Sequence, residues 1–408
     1  MTDELAFRPV GPGHHDEFRR VVDYAFEPAA GPQDHDDEFD RIADPFGLFD
    51  GDDLLSVCAH YGFDARLRGE WVPMAGLAAV ATPPEHRRRG HVRRMVEASL
   101  ERWRGEFPLA ALWSFSRSYY EQFGWAMANT FTEYTFPTAA LSVARERRTR
   151  RDPDGDWRVR RATADDWADL QTAHEAHAAD RELTIRRDEE WWRQRVFRTL
   201  DGDHPYVYVC ERDGELRGYV VYTFEKTGDG LDDRRLEVAD LAFADHEARL
   251  ALLALLADHD SQAVETVHYA GDTSLLDLLE DPSAADCTVH AGPMVRVVDV
   301  PEALETTPYP DDVTADLTLA VADDTAGWND GTFRLRVADG GGTCERAAVA
   351  PAEADATVGV GTLSQLVAGY HSVDEAHRLG NLAVRDDRTA EGLAALFPPR
   401  FVYLRTYF

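Results

Sequence analysis

A turn between a predicted strand and a predicted helix carries the residues best suited to chemistry. Residues 74–82 are small and apolar, which is typical of a buried strand, and an arginine-rich turn follows them and ends at Gly90. From His91 onwards, apolar residues recur at helical spacing. A glycine turn at a helix start directs backbone N–H groups and the positive end of the helix dipole at one place, which suits a pyrophosphate. The alternative is a surface turn whose arginines only keep the chain soluble.

A tyrosine further along the chain is the second candidate. It opens the run Tyr120-Glu-Gln-Phe-Gly124-Trp125, which follows a short apolar segment at residues 109–115. A tyrosine hydroxyl can protonate a departing thiolate without bringing a charge into an apolar slot. The alternative is that the aromatic residues of this run are simply core residues. The position of Tyr120 after the glycine turn favours the chemical interpretation.

The elements that must position these residues form an α/β pattern. A helix containing Phe18 and Phe26 is predicted between the first two strands, followed by an acidic loop around residues 34–40. The strands predicted in this first part span residues 7–10, 54–60, 65–68, 71–82 and 109–115. Residues 138–156, which include an arginine-rich run, are predicted to be an interdomain linker.

A second part repeats the pattern without the glycine turn. Strands are predicted at residues 157–160, 206–211, 216–224 and 236–243, with a hairpin turn at Asp213-Gly214. Asp245 and Glu247 stand at the start of the following helix, where they would repel a pyrophosphate. Beyond residue 300, strands are predicted at 316–322 and 332–338, and helices at 361–370 and 373–379. Residues 401–408 form a strand-like end.

The whole pattern resembles the enhanced intracellular survival (Eis) family of GCN5-related (GNAT) N-acetyltransferases. The resemblance rests on Arg87-x-x-Gly90-x-Val92, on Tyr120-Glu-Gln-Phe-Gly124 and on the aromatic last residue. Val92 departs from the family pattern, in which a smaller residue is usual. The resemblance implies an α/β (α+β) fold with an active GNAT domain at 1–150, a degenerate one at 151–300 and a sterol-carrier-protein-2-like domain at 301–408.

The resemblance also implies roles for individual residues. Tyr120 would be the general acid, and the α-carboxylate of Phe408 would be the general base. Glu85, Asp23 or another pocket carboxylate remains an alternative base, and Tyr24 and Phe26 would either line the acceptor pocket or pack in the core. The residues expected to bind acetyl-CoA are Val80, Arg87, Arg88, Arg89, Gly90 and Val92.

Cysteine and histidine positions predict no metal site. The four cysteines, which are Cys58, Cys210, Cys287 and Cys344, lie far apart and in apolar or strand-like contexts, so buried free thiols are expected. His14, His15 and His268 have no third ligand at helical or hairpin spacing, which favours surface histidines.

The charge balance restricts the partners and the compartment. The 43 basic and 75 acidic residues give a net charge of −32, and Lys226 is the single lysine. An acidic surface without lysine is typical of a protein from a salt-in halophile, and it excludes nucleic-acid binding. With 44% hydrophobic residues the chain can build cores. The sequence shows neither a signal peptide nor a long apolar run, so a cytoplasmic protein without membrane contact is predicted.

These observations predict an acetyl-CoA-dependent N-acetyltransferase that acts on a primary amine by direct transfer. The acceptor stays open between an aminoglycoside, a polyamine and a lysine-like amine. The other class that stays open is a non-catalytic protein that binds acetyl-CoA or an apolar ligand. Like the family's hexamers, the chain is expected to form a homo-oligomer.

Overall fold

Apolar residues that alternate with polar ones build three β-sheets in this protein. The computed structural model describes residues 5–29, 31, 42–151, 156–198, 204–230, 234–259, 265–271 and 273–408. These residues form two compact units, the first within Met1–Asn129, Glu182–Ile185 and Gly292–Phe408 and the second within Thr130–Arg181 and Arg186–Ala291. The mixture of helices and sheets confirms the predicted fold class.

The elements are numbered in chain order. The strands are β1 (Ala6–Pro9), β2 (Asp44–Asp50), β3 (Asp53–Leu67), β4 (Glu70–Ala81), β5 (Leu109–Leu112), β6 (Ala126–Met127), β7 (Thr130–Phe136), β8 (Trp157–Arg161), β9 (Tyr206–Arg212), β10 (Glu215–Lys226), β11 (Arg234–Phe243), β12 (Glu265–Ala270), β13 (Asp286–Ala291), β14 (Met294–Val297), β15 (Ala315–Ala322), β16 (Gly331–Ala338), β17 (Gly341–Arg346), β18 (Ala356–Gly359) and β19 (Leu382–Val384). The α-helices are α1 (His15–Phe26), α2 (His91–Trp103), α3 (Arg117–Glu121), α4 (Ser142–Arg151), α5 (Trp167–His177), α6 (Glu189–Trp191), α7 (His246–Ala257), α8 (Val300–Thr306), α9 (Val360–Ala368), α10 (Val373–Arg378) and α11 (Asp387–Leu396).

The first sheet lies in the first unit and has the strand order β1-β2-β3-β4-β5-β14-β6. Strands β4 and β5 pair in parallel, as their connection through a helix requires, and the neighbouring pairs are antiparallel. Helix α2 contributes Met95, Val96 and Leu100 to a core with residues of β3, β4 and β5. This burial confirms the apolar face predicted for the helix.

The second sheet lies in the second unit and repeats this arrangement with the order β8-β9-β10-β11-β12-β7-β13. Its parallel pair is β11 with β12. In each sheet the sixth strand comes from a distant part of the chain. β14, which follows the second sheet's strands in the sequence, pairs in the first sheet, and β7, which precedes the others, pairs in the second; we call this the strand exchange. The domain boundaries predicted from the sequence place β7 in the first domain (1–150) and β14 in the second (151–300). In the structure, each strand pairs in the other sheet. An alternating pattern identifies a strand but not the sheet that it joins.

The third sheet belongs to the first unit and has the order β17-β16-β15-β18-β19. Helix α9 joins this part of the unit to the first sheet. The hydroxyl oxygen of Ser364 accepts a hydrogen bond from the backbone of Val297 at 2.7 Å, and Gln365 Nε2 donates to the carbonyl oxygen of Met127 at 2.9 Å. The buried side chains of Arg296 and Asp323 form an ion pair of 2.7 Å between the same two parts.

Three predictions of local structure are wrong. The strands predicted at 54–60 and 65–68 are one strand, β3, since Gly62 and Asp64 face outward in its alternation and do not form a turn. Most of the predicted linker is helical: residues 142–151 form α4, and Ala144 anchors it in the second unit's core. The C-terminal run is extended but makes, among the described residues, a single β-bridge, between Val402 and Glu182. The predicted acidic loop at 34–40 and residues 152–155 of the predicted linker lie outside the described residues.

Candidate active site

The turn after β4 presents an uncapped helix start. One turn of 3-10 helix at Pro84–His86 follows the strand, and α2 then begins at His91. Gly90 has φ = 80°, a left-handed conformation that glycine adopts without strain. Within the described part of the chain, no side chain caps this helix at Gly90, and its first turn contains no acidic residue. The first N–H groups of α2 can therefore bind an anion.

Side chains of the turn fold back and brace it. The guanidinium Nε of Arg87 donates to the carbonyl oxygen of Thr82 at 2.9 Å, and that of Arg89 donates through Nη2 to the carbonyl oxygen of Glu85 at 2.7 Å. Most of the predicted cofactor residues meet here, either exposed on the turn or in the first turn of α2: Arg87, Arg88, Arg89, Gly90 and Val92. Their contact with a cofactor stays a prediction.

The pairing of β4 with β5 ends beside this turn. It joins residues 74–77 to residues 109–112, whereas β4 continues to Ala81. The register between β4 and β3 shifts at Val57 and Ala59, and Ala79 has φ = 50°, so β4 bulges at this place. Val80, the remaining predicted cofactor residue, is half-buried and lies in the part of β4 beyond its pairing with β5. An extended ligand can therefore lie along β4 where β5 has ended.

Tyr120 lies in the short helix α3 and is 3% exposed. Its ring meets Phe115 and Tyr119 edge-on, with centroids 5.7 and 5.4 Å away. Burial raises the pKa of the Tyr120 hydroxyl well above its usual range, and the neighbouring Tyr119 and Cys58 raise it further. The phenol therefore keeps its proton at neutral pH. The rest of the motif fits the packing alternative, since Phe123 also lies in this core.

The C-terminal residue packs on the same sheet. The side chain of Phe408 is buried, and its ring centroid lies 4.8 Å from that of Phe63 and 5.5 Å from that of Tyr61. Gly76 of β4 leaves space for it, because a Cβ at that position would lie 2.8 Å from Cε2 of Phe408. Both predicted catalytic residues, Tyr120 and Phe408, thus pack against the first sheet, and their roles stay predictions.

The residues that hold the C-terminal segment were missed in the sequence. The indole Nε1 of Trp113 donates a hydrogen bond of 2.9 Å to the carbonyl oxygen of Thr406. The backbone N–H of Leu404 donates to Oδ1 of Asn129 at 3.2 Å. Each pair lies hundreds of positions apart in the chain, so no local pattern could reveal it.

Cys58 and His60 lie in the same core but are unsuited to nucleophilic catalysis. The imidazole Nε2 of His60 is 2.8 Å from Oγ of Ser99 and 3.8 Å from Sγ of Cys58. Burial raises the pKa of the Cys58 thiol far above its usual range, so the nucleophilic thiolate does not form. Burial and the charge of Arg102 lower the pKa of His60 to about 3, so its imidazole stays neutral.

We predict that His60 weakens the protein in mild acid. Its pKa is about 3 in the fold against 6.5 ordinarily, so below pH 6.5 the unfolded chain binds a proton that the folded chain refuses. His60 therefore leaves the free energy of unfolding unaffected above pH 6.5 and lowers it as the pH falls towards 3. Urea unfolding should show that the free energy of unfolding decreases between pH 7 and pH 5. This decrease should be larger by about 2 kcal/mol in the native protein than in His60→Gln. His377→Gln, which replaces an exposed histidine of the same unit, is the control. Equal losses in the native protein and His60→Gln would contradict the prediction.

The other predicted residues lie on the turn before α2 or on α1. Glu85 is exposed on the turn before α2, and Asp23 lies in α1. Tyr24 and Phe26 are 53% and 51% exposed, so the alternative that they pack in the core is wrong.

Two predictions about cysteine and histidine are also wrong. Cys287 is exposed because it lies on the edge strand β13, whereas the other three cysteines are buried, and all four are free thiols. His268 is 5% exposed within β12 and is not a surface residue. Among the described residues, no three or more His, Cys, Asp or Glu side chains are grouped as metal ligands would be.

The corresponding helix start of the second unit is capped by a carboxylate. Asp245 precedes α7, and its Oδ1 accepts a hydrogen bond from the backbone of Ala248 at 2.8 Å. Arg217 pairs with the same carboxylate at 2.7 Å, and Glu247 stands in the first turn. The helix start is thus capped by the chain's own carboxylate, and the loss of a second cofactor site stays a prediction.

Three domain families match successive parts of the chain. The Acetyltransferase (GNAT) domain matches residues 6–128, and a second Acetyltransferase (GNAT) domain matches residues 183–297. The Sterol carrier protein domain matches residues 300–405. These matches confirm tandem GNAT folds followed by a sterol-carrier-like domain. Among the described residues, no helix is long and apolar enough to cross a membrane.

Similar proteins cover nearly the full chain. An uncharacterized N-acetyltransferase of Streptomyces griseus is 30% identical over 404 residues, which are 92% of each protein. The N-acetyltransferase Eis of Mycobacterium tuberculosis is 26% identical over 86% of this chain and 85% of its own. Two crystal structures share the fold over 99% of this chain and 100% of theirs: a GCN5-related N-acetyltransferase from Anabaena variabilis (TM-score 0.82, 19% identity) and Eis1 from Mycobacterium abscessus (TM-score 0.74, 22% identity).

The domain matches and the named relatives identify the chain as an acetyltransferase of the GNAT class. Within that class, the chain belongs with the N-acetyltransferases that the Streptomyces griseus protein represents, and it is similar to the Eis proteins.

Proposed function

We propose that the protein transfers the acetyl group of acetyl-CoA directly to the primary amine of a small molecule. One observation carries the proposal: the uncapped start of α2 lies where β4 runs on past the end of β5. A helix start of this kind binds phosphate, and an open strand edge accepts an amide-containing chain by hydrogen bonding. Acetyl-CoA contains both groups, and when bound it supplies an activated thioester.

The residues present fit this co-substrate. The N–H groups after Gly90 would bind the pyrophosphate, and the exposed Arg87, Arg88 and Arg89 would add positive charge around it. The backbone near Val80 would pair with the pantetheine arm. In the second unit, Asp245 already satisfies the equivalent helix start, so one acetyl-CoA per chain is expected.

Two groups would move the protons. A primary amine is mostly protonated at neutral pH, and in a chain ending at Phe408 the α-carboxylate would accept the proton that leaves the nitrogen. The new N–C bond then forms as the C–S bond breaks. Tyr120 would donate its hydroxyl proton to the sulfur, which leaves as a thiol. The nitrogen loses its second proton on amide formation, and this proton would restore the Tyr120 phenol, so that one proton per turnover passes from the carboxylate to solvent. The buried and neutral phenol supports this role.

The acceptor class is proposed from the same family likeness. Aminoglycosides, polyamines and lysine-like amines each present a primary amine. We also propose that the protein is a homo-oligomer and works in the cytoplasm of a salt-adapted cell.

The alternative function, binding of an apolar ligand by the sterol-carrier-like domain, is less favoured. One face of its sheet carries ion pairs, such as Arg334 with Asp316 at 2.6 Å and Arg336 with Glu345 at 2.8 Å.

The test is CoA release from acetyl-CoA in molar KCl with a panel of aminoglycosides, polyamines and lysine peptides. We expect amine-dependent turnover by the native protein. A form extended by one glycine after Phe408 keeps the phenyl ring but moves the carboxylate by about 3.5 Å. Its kcat should fall by about 100-fold or more, because proton transfer needs a positioned base.

The control for the extended form is the same protein with one glycine added at the N-terminus. Full activity of the C-terminally extended form would contradict the role of the carboxylate and leave Glu85 and Asp23 as bases to examine. Tight acetyl-CoA binding without turnover on any amine would instead favour the non-catalytic binding protein.

A further inference from the structure

The C-terminal segment is held in place by contacts outside any sheet. Glu182 exchanges backbone hydrogen bonds of 2.8 Å with Phe401 and Tyr403. The side chain of Asn129 accepts the N–H of Leu404 at 3.2 Å. Since a strand ladder does not fix its register, the position of the last residues depends on such individual contacts.

Trp113 makes a hydrogen bond to the backbone shortly before the proposed base. Its Nε1 donates to the carbonyl oxygen of Thr406 at 2.9 Å, two residues before Phe408. Its ring also packs on Tyr407, with 5.4 Å between the ring centroids. Trp113 thus contacts two consecutive residues, Thr406 and Tyr407, of the backbone that leads to the carboxylate.

Trp113 is also placed beside the other parts of the site. It is the first residue after β5, and β5 pairs with β4 up to its last residue, Leu112. Phe115, two residues later, meets the ring of Tyr120 edge-on. One short run of chain therefore ends the β4–β5 pairing, holds the C-terminal segment and touches the proposed acid.

We infer that Trp113 is a positioning residue for the general base, an inference that rests on the proposed role of the Phe408 carboxylate. It does not touch the reacting atoms. It holds the last three residues so that the carboxylate meets the acceptor's ammonium group. A misplacement of about 1 Å in such a group can lower the rate by about 100-fold.

The variant Trp113→Phe tests this inference, because it keeps an aromatic ring beside Tyr407 and removes the N–H donor. We expect kcat to fall by about 10-fold or more, while the KM for acetyl-CoA stays within about twofold of the native value. Trp328→Phe is a matched control: the Nε1 of Trp328 also donates to a backbone carbonyl, that of Val298, at 2.9 Å in the same unit. It should keep native kcat.

A second comparison separates positioning from a general structural effect. In the form extended by one glycine after Phe408, the carboxylate is already displaced, so adding Trp113→Phe should lower kcat by less than about twofold. An equal loss in the native and extended forms would overturn the inference, as would a Trp113→Phe variant as active as Trp328→Phe. An extended form with full activity would overturn the proposed base itself, and with it the role of Trp113.

Discussion

Replacing Tyr120 by phenylalanine is expected to lower kcat by about two to four orders of magnitude while the fold and the affinity for acetyl-CoA stay intact. The tyrosine is 3% exposed in a core of apolar residues, and phenylalanine fills the same space. The variant therefore removes one proton donor and little packing. Steady-state kinetics with acetyl-CoA and a good amine acceptor, beside the thermal unfolding midpoint, provide the measurement.

Tyr119→Phe is the matched control for this prediction. Tyr119 is the neighbouring residue of α3, and it packs on Phe115 and Phe123 with ring distances of 5.8 and 5.5 Å. It should stay within a fewfold of native activity because no proton transfer is assigned to it. Equal losses in the two variants would mean that Tyr120 acts through packing and not as an acid.

The pH profile should carry the same information. Because burial raises the pKa of Tyr120, its hydroxyl keeps its proton up to and beyond the usual tyrosine value of 10. Native kcat should therefore show no fall on the alkaline side below about pH 10. A fall near neutrality would assign the proton donor to another group.

The cofactor turn could be predicted because its determinants are local. A small apolar strand, a glycine with a left-handed backbone and a helical apolar face follow one another between residues 74 and 100. Turn and helix-start preferences act over a few residues, so the sequence alone predicts the start of α2 near Gly90. The Tyr120 motif is equally short.

The contacts that complete the site are not local and could not be predicted. Arg68 donates from Nε to the carbonyl oxygen of Val367 at 3.0 Å across 299 positions, and it thereby caps the end of α9. Arg296 is fully buried, although a charged side chain is expected at the surface. Hydropathy patterns report whether a residue tends to be buried, but not which distant residue it meets. The strand exchange between β7 and β14 could not be predicted for the same reason.

Replacing Gly124 by alanine is expected to destabilise the first unit by about 4 kcal/mol or more. Gly124 ends the Tyr120 motif with φ = 81°, a conformation that costs alanine about 1–2 kcal/mol. A Cβ here would also lie 1.7 Å from Nη1 of Arg296 and 2.6 Å from Cγ1 of Val360. Arg296 cannot yield easily, because separating its buried ion pair with Asp323 costs about 3–5 kcal/mol.

Gly380→Ala separates the backbone effect of Gly124→Ala from its packing effect. Gly380 has φ = 76°, but a Cβ there would meet no atom within 4 Å, so only the left-handed conformation is penalised. Urea unfolding followed by tryptophan fluorescence should show a loss of about 1–2 kcal/mol for Gly380→Ala and at least twice that for Gly124→Ala. The backbone of Trp125, the next residue, donates to the carbonyl oxygen of Tyr120 at 3.3 Å, so kcat should fall as well. Equal destabilisation of the two variants would contradict the packing argument. A larger loss of stability for Gly124→Ala would show that glycine is needed at this position because the side chain of Arg296 occupies the space of a Cβ.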